Sequence, residues 1–158
     1  MSDAIFSPPP GTPVADVSTR ARRPDLVSAA AAVLGVDSCL VMLLGLQNTM
    51  MMKWYPPYDK AVYVLIALGI LAAVLALRVA RVDPRLHKLA IGGVAVLLFG
   101  VGGWTVFSFA SGVISMLGVV ATLGAVSSLV LLTGSLPACA DSYAARQQLR
   151  AEGIEFNL

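Results

Sequence analysis

Between Leu89 and Leu136 the chain carries no Asp, Glu, Lys or Arg over 48 residues. As one helix, this stretch would be about 70 Å long at a rise of 1.5 Å per residue. The hydrocarbon core of a bilayer is only about 30 Å thick. A run of that kind therefore has to cross a membrane and turn back once. Ser108-Phe109-Ala110-Ser111-Gly112 offers the small residues for the turn. The expected spans are Leu89–Phe107 and Val113–Leu136, with Pro137 closing the second because it lacks the N–H that the next helical turn needs.

The rest of the chain fits the same solvent. Hydrophobic residues make up 58% and charged residues 13%, against about 45–50% and about 25% in a soluble domain. Mean hydropathy is +0.82. There are too few charges to coat a soluble domain of 158 residues, and a net charge of +2 points to no nucleic-acid partner.

Two further spans precede the long run, at Leu26–Thr49 and Ala61–Val79. Pro24 suits a first helical turn. Pro56 and Pro57 interrupt the helix between the two spans, and Asp59 is placed to cap the second. Trp54, Tyr55 and Tyr58 form an aromatic belt at headgroup level. Asp83 followed by Pro84 marks the next helix start. Residues 1–23, rich in Pro and Ser, read as disordered or extended chain. Residues 24–137 form the transmembrane domain. Residues 138–158 form a polar tail, with a short surface helix over Ala140–Glu152 stopped at Gly153. About 25 residues precede the first span, long for the n-region of a signal peptide, the span is long enough to cross a membrane, and no cleavage site follows it.

Orientation follows from the basic residues. Arg20, Arg22, Arg23, Arg78, Arg81, Arg85, Lys88, Arg146 and Arg150 fall on one side, and Lys53 and Lys60 on the other. The larger group belongs in the cytoplasm. The expected fold is an all-α membrane protein, a four-helix up-down-up-down bundle with both termini inside, in the inner membrane of a bacterium.

Asp37 is the residue that asks for chemistry. It lies about eleven residues into the first span, roughly 16 Å deep by helical rise. A carboxylate there costs about 2.5–3.5 kcal/mol on the insertion scale, and no Lys or Arg of another span shares its depth. Thr122, Ser127 and Ser128 are candidate hydrogen-bond partners. Asn48, eleven residues on, falls on the same helical face. Three roles stand open: a proton or cation site, packing across the bundle, or a contact to a partner subunit's cation.

Small residues make the second signal. Ser111, Ser115, Gly118, Thr122 and Ala125 recur at three- and four-residue steps in the fourth span. The third span holds Gly92, Gly93, Gly100, Gly102 and Gly103, and the second holds Gly69 and Ala73. Such faces let helices approach closely. They serve contacts within the bundle or a docking face for another membrane protein or a second copy.

The remaining candidates are weak. Met50–Met52 could offer thioethers to Cu(I), but consecutive Met residues point apart on a helix and read as apolar filler. His87, beside Arg85 and Lys88, reads as a headgroup contact. Cys39 and Cys139 lie at different depths, so a disulfide is not expected, and they read as two small buried thiols. No nucleophile–base pair, metal-ligand cluster or phosphate-binding loop is present. The sequence thus points first to a non-enzymatic accessory or assembly subunit of a larger membrane complex, without cofactor or metal. A small proton- or cation-coupled transporter or oligomeric pore centred on Asp37 is the alternative.

Overall fold

The computed structural model describes residues 14–22, 24–52, 58–112 and 115–152. These form five helices: α1 (Val14–Ala21), α2 (Asp25–Met52), α3 (Tyr58–Val79), α4 (Pro84–Ala110) and α5 (Met116–Ala151). Helices α2 to α5 are long and apolar enough to cross a membrane. The long uncharged stretch does turn back. Helix α4 ends at Ala110, Ser111 donates its N–H to the Phe107 carbonyl, and Gly112 takes φ 76°. That left-handed conformation suits glycine. Ser115 then caps α5, its hydroxyl accepting from the Gly118 N–H at 3.1 Å.

The buried positions run in alternating steps of three and four. They are 27-30-34-37-41-44 on α2, 62-65-69-72-76-79 on α3, 87-90-94-97-101-104-108 on α4 and 118-121-125-128-132-135-139 on α5. A 3.5-residue spacing keeps one seam facing its neighbours when helices supercoil. Helix α2 packs on α3 and α5, and α4 packs on α3 and α5, closing a four-membered ring. Neighbours are antiparallel: Gly45 meets Ile66 while Gly69 meets Met42, and Gly93 meets Leu75 while Gly100 meets Leu68.

Glycines are the holes for these knobs. Leu68 and Leu75 of α3 sit seven apart, as do Gly100 and Gly93 beneath them. At Gly69 a Cβ would come 3.0 Å from the Met42 nitrogen and 3.1 Å from the Ser38 carbonyl oxygen. The backbones of α2 and α3 approach too closely there for any side chain. Among lipid tails such dispersion contacts hold helices together, because burial from lipid carries no hydrophobic gain. The outer surface is apolar in turn, with Phe99, Val106, Leu77 and Leu123 exposed.

The two ends of the chain depart from the expectation. Pro137 does not end the last helix, which continues through residues 138–151 as part of α5. The helix runs on past the missing N–H of Pro137, and α1 braces the continuation. Residues 14–21, expected to be disordered or extended, are helical. Ala21 is buried against Ala145 and Leu149. Ser142 Oγ donates to the Arg20 and Arg22 carbonyls, each at 3.0 Å, and Arg146 Nε to the Ala21 carbonyl at 2.9 Å. The spans are also longer than the hydropathy pattern marks, since polar caps and first turns belong to the helices. Residues 1–13 and the Trp54–Tyr55 part of the aromatic belt lie outside the described residues, as do Arg23, Lys53 and Gly153.

Between α3 and α4, Val82 takes φ 55° and is buried. A β-branched residue in that conformation is strained. Asp83 follows as the cap of α4, accepting from the Arg85 N–H at 2.8 Å, with Pro84 in the first turn.

Candidate functional site

Asp37 occupies a core position of α2, where the 3.5-residue spacing would ordinarily place an apolar side chain. It is 1% exposed. Its carboxyl lies against Gly124 of α5, so close that a Cβ on Gly124 would stand 2.9 Å from Asp37 Cγ and closer still to Oδ1. Gly124 is the gap that admits the carboxyl. Neither carboxyl oxygen has a hydrogen-bond partner.

None of the three expected partners reaches it. Thr122 donates to the Gly118 carbonyl at 2.8 Å and pairs with Thr105 Oγ1 of α4 at 3.1 Å. Ser127 is exposed and donates back to the Leu123 carbonyl at 2.9 Å. Ser128 is fully buried, one turn along α5 from Gly124, and its hydroxyl also lacks a partner. Ser38, beside Asp37, donates to the Gly35 carbonyl of its own helix at 2.6 Å. Asn48 does likewise, to the Leu44 carbonyl at 2.7 Å, and does not join the Asp37 site. Asp37 on α2 and Ser128 on α5 thus carry a carboxyl and a hydroxyl, both buried and both without a partner.

The small-residue face of α5 turns inward. Gly118 and Ala125 are buried, and a Cβ on Gly118 would come 2.8 Å from Thr105 Oγ1. Gly118 therefore serves the α4–α5 contact rather than an outer docking face, and Ser115 caps α5. Gly69 and Gly100 pack within the bundle. Gly103 faces outward with nothing within 4 Å, as do Gly92 and Gly134.

His87 corrects the sequence reading most plainly. It is fully buried, not at the headgroups. Its Nε2 stands 2.8 Å from the Leu132 carbonyl of α5 and 3.1 Å from Ser135 Oγ. A carbonyl only accepts, so Nε2 carries the proton. Ser135 Oγ also donates to the Leu132 carbonyl, at 3.2 Å. Pro137 cannot donate to the carbonyl four residues before it. The carbonyl that Pro137 leaves without its helical donor is that of Thr133; His87 and Ser135 converge instead on the neighbouring Leu132 carbonyl, and they tie α4 to α5 at that level. The signal was present in the sequence: His87, Ala90, Val94 and Leu97 share the core spacing of α4. Lys88 and Arg85 beside it drew the reading to the surface.

Among the described residues no three His, Cys, Asp or Glu side chains gather to hold a metal ion. Both cysteines are free thiols; Cys139 is buried in α5, but Cys39, expected to be buried, is exposed on α2. Neither protein-family models, curated proteins nor solved structures give a match to this chain.

Proposed function

We propose that this chain is a small proton- or cation-coupled membrane transporter that works through Asp37. One observation carries the reading: a carboxyl in the centre of a membrane-type bundle with neither oxygen hydrogen-bonded. An intramembrane acid is costly and by default a functional candidate. Packing across the bundle would require a donor in reach, and none reaches it. A contact to a partner subunit's cation would require exposure, and the side chain is 1% exposed. A pore between protomers would likewise need Asp37 on an outer face. What is left for the carboxyl is to hold a proton, or to exchange it for a small cation, in the seam it shares with Gly124.

Exchange with either side requires α2 and α5 to part at that level. Gly124 presents no side chain to interlock there. Pro137 weakens the hydrogen-bond ladder of α5 some thirteen residues away and offers a place for the helix to bend.

The test is a pH gradient across proteoliposomes holding the purified protein alone. Wild type should dissipate the gradient, and Asp37→Asn should not, while folding and abundance stay unchanged. Asn keeps the shape and cannot titrate. A gradient equally stable with wild type and with empty vesicles would sink the reading.

The accessory-subunit reading has one observation of its own. Gly92 and Gly134 face outward with open space beside them, which would let a foreign helix approach closely. Foreign subunits retained in native mass spectrometry of the protein taken from its own membrane would favour it.

A further inference from the structure

A cleft of about 830 Å³ opens between α1, the start of α2 and the end of α5. Its walls are tied together. Ser142 and Arg146 of α5 hold the carbonyls of Arg20, Ala21 and Arg22, and Ala21 is buried against Ala145 and Leu149. On α5 the cleft is lined by Ala138, Asp141, Ala145 and Gln148. Steps of three and four residues put these on one face of the helix, so Asp141 and Gln148 stand over the cleft. Arg22, Pro24 and Asp25 line it from the other side.

The charges of this cleft do not cancel one another. Arg22, Asp25 and Asp141 are exposed, and among the described residues none of the three forms an ion pair. Arg20, the other cation in the lining, already has an interaction of its own. One guanidinium and two carboxylates thus share a single recess on opposite walls. A simple anion would meet the two carboxylates there, and a simple cation would meet the guanidinium. A ligand that suits both signs carries an anion and a cation a few bonds apart.

Depth chooses among such ligands. Asp25 lies twelve residues from Asp37 on α2, about 18 Å of helix, against about 15 Å for half of the hydrocarbon core. The same register holds on α5, where Gly124 meets Asp37 and Ala138 lines the cleft fourteen residues on. In a bilayer centred near Asp37 the cleft therefore sits at headgroup level. Leu26, exposed on α2 next to Asp25, begins the apolar surface that an acyl chain would follow.

We propose that this cleft binds the headgroup of one phosphatidylethanolamine molecule. Its phosphate lies at Arg22, whose planar guanidinium matches phosphate oxygens. Its primary ammonium, with three N–H donors, lies at Asp25 and Asp141. The site is independent of the transport reading.

The test uses the full chain, taken from vesicles of equimolar phosphatidylethanolamine and phosphatidylglycerol with identical acyl chains. Native mass spectrometry counts the lipid retained. Wild type should keep one phosphatidylethanolamine in roughly two- to fivefold excess over phosphatidylglycerol, the worth of one exposed ion pair. Asp25→Asn combined with Asp141→Asn should erase that excess. Arg22→Gln should weaken retention of both lipids, while its backbone carbonyl still meets Ser142. Circular dichroism would establish that these surface variants still fold. Equal retention of the two lipids by wild type would overturn the proposal, and so would an excess that survives in the double variant. Displacement of the lipid by an equal concentration of free O-phosphoethanolamine would overturn the lipid assignment in favour of a soluble zwitterion.

Discussion

Asp37 and His87 are both buried polar side chains on the core stripe of a helix, and only one of them is tied to a neighbouring helix. His87 directs its Nε2 at the carbonyl of Leu132, with Ser135 completing the cluster, while its Nδ1 has no partner. Asp37 faces the bare Cα of Gly124 with both oxygens unmatched. The imidazole is part of how α4 holds to α5. The carboxyl adds nothing by hydrogen bonding, and it persists in a position where a leucine would pack. Equal burial thus conceals two different roles, and hydrogen-bond partnership separates them.

The comparison is most exposed to failure at His87. His87→Ala should lower stability by roughly 2–4 kcal/mol, combining a core cavity with a carbonyl that loses a donor. Reversible unfolding in mixed detergent micelles measures this. A loss below about 1 kcal/mol, within the range of a single modest interhelical hydrogen bond, would mean that the cluster does not brace α5.

Gly124→Ala should cost about 1–3 kcal/mol by overpacking, because the new Cβ meets the Asp37 carboxyl. In an Asp37→Ala background the same change should be nearly neutral. The double-mutant cycle isolates the coupling between the two sites. Additive effects would show that something other than the carboxyl fills the space beside Gly124.

The smallest effect belongs to Asp37→Asn. With no hydrogen bond to lose, stability should stay within about 0.5 kcal/mol of the parent, the range of ordinary uncoupled substitutions. A large loss in the same unfolding assay would place Asp37 with His87 among the structural groups and remove the contrast.

The sequence by itself marked four helices as long and apolar enough to cross a membrane. Forty-eight uncharged residues cannot be a water-soluble surface, and their length against the bilayer forces a reversal, which falls at Ser111-Gly112. Asp37 stood out for the same reason, as a charge in a run that has no others. The sequence could not say which way each helix faces. In water an apolar stripe marks the inner side. In lipid both sides are apolar, and here the core stripe carries the small and polar residues: Asp37, Ser38, His87, Ser108, Ser128 and Ser135. Only the packing of α5 against α2 and α4 decided that Gly124 receives Asp37 and that His87 meets the Leu132 carbonyl. It also decided that the last helix runs on past Pro137, with α1 braced against its far end. Those outcomes depend on groups from helices 45 to 122 residues apart in sequence meeting in space, and no local pattern of propensity or hydropathy encodes that meeting.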